Sequence, residues 1–391
     1  MRRLSDKAMI LEGQKMFQIL AKTKELEEQG KEIIHFEIGD PDFGTPKNVV
    51  DAVYDSLRQG HTHYTTSSGL PEYREVAAEV TKRSRGFKPS INQILVTPGA
   101  NVQIFYAVAC AVNPGEEVII SDPAFVSYNS IIQFLGVKPV KIPLYEENQF
   151  RLNPDDVEKA ITDKTRMIII NSPHNPTGSV MTEEEIKRMY EIADKYDLYL
   201  VSDEVYARMI YKDAETHFSS PSKYDECKIR TIVVHSFSKS YAMTGWRIGA
   251  VTGPEDLIAK MGLLLETTTS CVSHFIQEAA ISALTGSQKP IDDMVEKLRK
   301  RRDLMLEGLN SLPGVHCIKP KGAFYAFPNI KGTGLTSEQF ANKMLETAGV
   351  AVCPGNYFGE HGEGYIRLCY ATSSKNIQNG IEKMRKILEN K

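Results

Sequence analysis

Apolar residues in this chain come in short runs, and turn-forming residues close each one. Ile94-Leu95-Val96-Thr97 stops at Pro98-Gly99, and Glu117-Val118-Ile119-Ile120-Ser121 stops at Asp122-Pro123. Arg166-Met167-Ile168-Ile169-Ile170-Asn171 stops at Ser172-Pro173. Leu198-Tyr199-Leu200-Val201-Ser202 stops at Asp203-Glu204, and Thr231-Ile232-Val233-Val234-His235 leads into Ser236. A strand with one wet face alternates polar and apolar, whereas a strand covered on both faces is apolar throughout. The runs therefore predict an α/β fold with a mostly parallel central sheet between helices. In such sheets ligands bind at the carboxyl ends of the strands.

Between the runs the period is helical. Val102 to Val112 reads as an apolar helix opened by Gly99-Ala100-Asn101. Thr182-Glu183-Glu184-Glu185 supplies a capping hydroxyl and an acidic first turn for a helix reaching about Tyr196. Ile291 to Leu309 is long, charged and amphipathic. Beyond Pro313 come short strands, Ala323-Phe324-Tyr325-Ala326-Phe327, Val350-Ala351-Val352-Cys353 and Tyr365-Ile366-Arg367-Leu368, then a last helix from about Lys375 to Leu388. This texture divides the chain into residues 1–45, an N-terminal arm and part of a small domain; 46–290, a large α/β domain; and 291–391, a smaller α+β domain.

A length of 391 residues gives room for two domains, and 41% hydrophobic with 25% charged residues is ordinary for a globular protein. The net charge of −3 offers no bulk attraction for nucleic acid or anionic membranes. No apolar run approaches the roughly 18 residues of a membrane span. Met1-Arg2-Arg3-Leu4-Ser5-Asp6-Lys7 lacks the apolar segment of a secretory signal. The cysteines, 110, 227, 271, 317, 353 and 369, are scattered without a Cys-x-x-Cys. Buried, reduced thiols in a cytoplasmic protein are expected, with no disulfide framework and no metal site.

The chemistry centres on Lys239 in Ser236-Phe237-Ser238-Lys239-Ser240-Tyr241-Ala242-Met243-Thr244-Gly245-Trp246-Arg247-Ile248-Gly249. A lone lysine is ordinarily a solvated surface charge. At a strand end, with hydroxyls at Ser236 and Ser238 and a guanidinium at Arg247, it suits an amine that forms a Schiff base beside a bound phosphate. Gly99-Ala100-Asn101 follows a strand and opens a helix, so its N–H groups and the helix dipole favour an anion. Taken alone, it is equally a glycine turn and cap. Arg367 lies inside an apolar strand, where a charge needs a partner or a ligand.

The fourteen-residue string resembles the cofactor-lysine segment of class I aminotransferases, which use pyridoxal 5'-phosphate. Six more motifs follow in that family's order between about Ile33 and Thr372: Gly39-Asp40-Pro41, Tyr64 within His63-Tyr64-Thr65, Gly99-Ala100-Asn101, Phe125 after Asp122-Pro123-Ala124, Asn171-Ser172-Pro173-His174-Asn175-Pro176-Thr177-Gly178, and Asp203-Glu204-Val205-Tyr206. Arg367 stands where the family keeps an arginine. The resemblance implies the fold-type-I PLP-dependent transferase fold and PLP as cofactor. It implies that Lys239 carries the Schiff base and moves the substrate α-proton, and that Asp203 holds the pyridine nitrogen protonated. Tyr206 and Asn175 would bond the phenolic oxygen, and Phe125 would stack on the ring. Gly99, Ala100, Asn101, Ser236, Ser238 and Arg247 would hold the phosphate, with Tyr64 reaching the neighbouring subunit's phosphate in a homodimer. Gly39, Phe125, Asn175 and Arg367 would receive the substrate, Arg367 taking its α-carboxylate.

The chain is most similar to the prokaryotic aspartate and aromatic enzymes of the gamma subgroup. Related aspartate enzymes often carry lysine where Asn101 stands, so this position points toward aromatic or broad-range donors as much as toward aspartate. The expected reaction passes an amino group from an L-amino acid to a 2-oxo acid, 2-oxoglutarate being the expected acceptor. Two rivals stand beside it: a β-lyase on the same scaffold, and a non-catalytic PLP-binding regulator. No helix-turn-helix precedes the domain, which speaks against the regulator.

Overall fold

The computed structural model describes residues 3–11, 13 and 15–389; Met1, Arg2 and the last residues of the segment expected at 291–391 lie outside these. The described strands are β1 Ile34–His35, β2 Ile94–Thr97, β3 Glu117–Asp122, β4 Lys138–Pro143, β5 Thr165–Asn171, β6 Tyr199–Asp203, β7 Thr231–Ser236, β8 Gly249–Thr252, β9 Tyr325–Ala326, β10 Val350–Ala351, β11 Cys353–Pro354 and β12 Ile366–Cys369.

Seven of them form one sheet in the order β2-β8-β7-β6-β5-β3-β4. All five apolar runs become strands of it. Their alternating side chains enter two different cores: Val118, Ile120, Met167 and Ile169 pack on one face, Ile119, Ile168, Ile170 and Leu200 on the other. Burial on both faces is why these runs carry no alternation. Strand β8 pairs antiparallel with both β2 and β7, so the sheet is parallel apart from this one strand. Strand β4 pairs only with β3, and it carries Pro139, Pro143, Lys138 and Lys141. Proline and lysine are tolerated there because an edge strand has an unpaired, solvated side. Its pattern is consequently too polar to stand out in the sequence.

The helices follow their sequence signals closely. Glu183–Lys195 opens on a reciprocal capping box: the Glu185 N–H donates to Thr182 Oγ1 at 3.2 Å, and the Thr182 N–H to the Glu185 carboxylate at 2.8 Å. Asn101–Ala111, Lys289–Asn310 and Ser374–Glu389 lie within a few residues of their expected bounds.

The later strands are shorter than expected. The run at 350–353 serves two sheets, Val350-Ala351 pairing with β1 and Cys353-Pro354 with β12. The run at 323–327 reduces to β9, which pairs with β12. All six cysteines are free; Cys110 and Cys271 are only half-buried, unlike the other four.

Candidate active site

A cavity of about 290 Å³ opens at the carboxyl edge of the large sheet. Strand β3 leads outward to β4, and the chain returns to β5 on the other side of β3. Loops after β3 and β5 thus diverge and leave a crevice. Five strand ends line the cavity: Ala100 and Asn101 follow β2, Phe125 and Tyr128 follow β3, and Asn171 and Asn175 belong to β5 and its loop. Asp203 and Tyr206 come from β6, and Ser236, Ser238 and Lys239 from β7. Gly39, Tyr325 and Arg367 close it from outside that sheet.

Strand β7 ends at Ser236, whose hydroxyl accepts the Ser238 N–H at 3.1 Å and caps the short helix Phe237–Ser240. That turn aims Lys239 into the cavity. Its Nζ donates to the Gly39 carbonyl at 2.6 Å and lies 5.9 Å from the Phe324 ring centre. Burial pushes the amine down to about 8; Arg367 and Arg247 act the same way, and Asp40 opposes.

One end of the cavity is built for an anion. Gly99 has φ +87°, and a Cβ there would press into the Arg247 guanidinium. Glycine is therefore required by both backbone conformation and space. Arg247 itself adopts φ 52°, and its guanidinium donates to the Thr244 carbonyl at 2.9 Å. Ser236 Oγ donates to Ser238 Oγ at 2.9 Å beside it. The buried Gln103 ties this turn to β7. Its amide donates to Thr97 Oγ1 at 2.7 Å and to the His235 carbonyl at 2.9 Å, and its oxygen accepts the His235 N–H at 3.1 Å.

Opposite lies Asp203, which accepts from the Tyr128 hydroxyl and from the Val205 N–H at 3.2 Å. Burial raises its carboxyl to about 6, against the pull of those two bonds. The Tyr206 hydroxyl meets that of Tyr325 at 2.8 Å, and burial holds the Tyr206 phenol well above its usual range. Phe125 stands edge-on to Tyr128, with ring centres 5.6 Å apart.

Arg367 is 1% exposed and lies between the Tyr325 and Phe358 rings, 4.7 Å from each centre. It donates to Asn175 Oδ1 at 3.2 Å and to the Glu37 carbonyl. Among the described residues its Nε has no partner. A buried, orphaned N–H on a guanidinium is costly unless an anionic ligand takes it. The Asn175 N–H is fixed by Asn171 Oδ1 at 2.9 Å.

The residues singled out from the sequence thus converge, with one exception. Tyr64 is 87% exposed and does not line the cavity of its own chain. Tyr325, Phe358, Gln103 and the Glu37 carbonyl were not singled out. Tyr325 sat in a run legible only as a strand, and Glu37 acts through its backbone, which carries no residue-type signal. Met16 and Phe17 of the helix Met16–Glu28 also reach the cavity without any motif.

The profile described as "Aminotransferase class I and II" matches residues 31–384. The chain is 44% identical over 364 residues to an aspartate aminotransferase of Pyrococcus abyssi, covering 92% of this chain and 93% of that protein. It is 41% identical to aromatic-amino-acid aminotransferase 2 of Thermococcus litoralis, covering 92% of each. The solved structure of the Thermus thermophilus aspartate aminotransferase with maleate superposes with a TM-score of 0.94 at 35% identity, covering 99% of this chain and all (100%) of that one.

Proposed function

The chain belongs to the class I and II aminotransferases, and from that premise we propose that pyridoxal 5'-phosphate is its cofactor and Lys239 its covalent catalytic residue. The enzyme transfers amino groups between amino acids and 2-oxo acids. Three features suit the cofactor. The cavity of about 290 Å³ is near the lower end of the range that small-molecule sites occupy. The Gly99 turn, the Ser236 and Ser238 hydroxyls and Arg247 provide donors for a phosphate. Asp203 lies buried at about 6, poised to be stabilised by a cationic ring nitrogen.

When bound, the cofactor supplies an electron sink that lets a proton leave the substrate α-carbon. The chain supplies the rest. At pH 7.5 an amine near 8 is neutral about a quarter of the time, against about a thousandth for an ordinary lysine. Lys239 Nζ can therefore act as nucleophile, take the α-proton and return it as general acid. Arg367 binds the substrate carboxylate through its free Nε–H, with Asn175 and the two flanking rings fixing the guanidinium plane. Tyr206 would donate to the cofactor's phenolic oxygen, Phe125 would cover the ring, and the Gly39 backbone would face the substrate.

The observation that carries this reading is the Lys239 amine, half-buried, with its pKa lowered, between an anion cradle and an arginine with an open donor. Borohydride reduction of the cofactor-loaded enzyme followed by peptide mapping should place the label on Lys239. Lys239→Ala should lose several powers of ten in rate. A label on any other lysine overturns the assignment.

We assign the donor side chain to the aromatic or broad neutral class. Asn101 carries no charge, and Met16, Phe17, Ile38, Phe125 and Tyr128 give an apolar wall. A distal carboxylate would lack a charge-assisted bond worth about 1.5–3 kcal/mol, roughly ten- to a hundredfold in affinity. Phenylalanine and tyrosine should match or exceed aspartate in kcat/KM with 2-oxoglutarate. A preference for aspartate above about a hundredfold would reverse the assignment. The free thiols fit a reducing cytoplasm, and no described helix is long and apolar enough to cross a membrane.

A further inference from the structure

Away from the catalytic cavity, the turn after the helix Lys47–Arg58 brings His61 against the helix His274–Thr285. His61 Nδ1 lies 3.1 Å from the Glu278 carboxylate, and His274 Nε2 lies 3.4 Å from it. The two imidazoles stack with centres 4.3 Å apart and planes 16° from parallel. One donor atom from each of the three side chains falls within 4.8 Å of the others. None of the three lines the catalytic cavity. We propose that His61, His274 and Glu278 bind one divalent ion of the zinc class, clipping this turn to the helix.

The spacing is the first argument. A tetrahedral ion with bonds of about 2.0–2.1 Å holds its ligands roughly 3.4 Å apart. The pairs His61–Glu278 and His274–Glu278 already have that separation. The nitrogen–nitrogen pair, at most 4.8 Å apart, must close by no more than about 1.4 Å. His274 and Glu278 are four residues apart on one helix, so they share a face and form a rigid half-site. His61 lies on a turn, so its ring can rotate out of the stack, bringing both in-plane lone pairs onto the ion as the nitrogens close.

Charge is the second argument. Two imidazoles whose centres lie 4.3 Å apart both set a ring nitrogen beside the one Glu278 carboxylate. An ion of charge two accepts a lone pair from each ring and neutralises the carboxylate together. Two imidazoles and one carboxylate suit zinc, cobalt or nickel, whereas magnesium and calcium prefer oxygen ligands. The side chains are 33%, 26% and 31% exposed, which leaves a fourth position to water. Tyr64 stands three residues beyond His61, so the ion would anchor the base of the loop that carries it.

The holoenzyme, stripped with a chelator and dialysed, should take up one equivalent of Co²⁺ per chain with a visible ligand-field band, and Zn²⁺ should displace it. Mg²⁺ should give no signal. His61→Ala, His274→Ala and Glu278→Gln should each weaken uptake by more than about tenfold, since even loss of groups behind the ligands costs that much. His63→Ala should leave uptake unchanged. All four variants should keep the metal-free activity, because these residues stand outside the catalytic cavity. Zn²⁺ should raise the melting temperature of the native chain and not of the double variant H61A/H274A. Absence of stoichiometric uptake, or uptake indifferent to the three substitutions, overturns the site. If a variant fails to fold, the native protein still decides: an anomalous-scattering peak at the cobalt edge must lie between these three side chains.

Discussion

Asp203 ends β6 with 5% exposure, and its charge is met there by the Tyr128 hydroxyl and the Val205 N–H. Its folded carboxyl, at about 6, lies above the unfolded value of 3.8. Between those values the folded state binds more protons than the unfolded one, so stability falls as pH rises from about 4 to about 6. A shift of some two units corresponds to on the order of 3 kcal/mol by pH 7. Asp203→Asn should remove that slope in the cofactor-free protein. Relative to wild type, its urea midpoint should rise between pH 4 and pH 7. The same change should slow the half-reaction with an amino acid by more than about a hundredfold, or ~2.7 kcal/mol of barrier, while the cofactor still binds. Near-normal single-turnover rates would show that the buried charge plays no part in the chemistry. The placement of Lys239 and Asp203 at strand ends was legible in the sequence, because each stands in a string of unusual residues that closes an apolar run. Their pKa values were not, since those depend on how deeply the surrounding loops bury them.

Strand ends alone do not make a site; they must be held in register. Gln103, one turn into the helix Asn101–Ala111, bonds Thr97 at the end of β2 and both backbone groups of His235 on β7. It thereby couples the Gly99 turn to the strand that presents Lys239. Gln103→Leu has similar volume but leaves buried backbone groups unpaired, at about 1–3 kcal/mol for each. A loss of roughly 2–4 kcal/mol in urea stability is expected, with weaker cofactor retention measured by equilibrium dialysis. Unchanged stability would mean that the turn and strand are registered by the sheet alone. The helix Glu183–Lys195 shows the opposite case. Its Thr182–Glu185 capping box is local in sequence, so its start was readable to the residue. Strand β4 escaped notice because its prolines and lysines suit an edge, and whether a strand is at an edge is a property of the sheet.

At the scale of the whole molecule, Tyr64 is exposed in its own chain, and Val50, Tyr54, Leu57 and Leu263 are large apolar residues that also face outward. These features fit a homodimer with shared sites. Mixing Lys239→Ala chains with Tyr64→Ala chains should recover part of the activity, because some hybrid dimers keep one intact site. Full activity from a species that sediments as a monomer at micromolar concentration would rule this out. Apolar runs without alternation already dictated a sheet buried on both faces, because such runs cannot face water. Loop residues at the ends of those runs already marked the edge where the cavity opens. The surroundings of Arg367 were settled only by tertiary structure: Tyr325 and Phe358 on its faces, Asn175 at one nitrogen and the Glu37 carbonyl at another. Those groups come from four separate stretches of chain, and one of them acts through its backbone. No local pattern can encode such a meeting, because burial, partner geometry and pKa arise only when distant segments pack against each other.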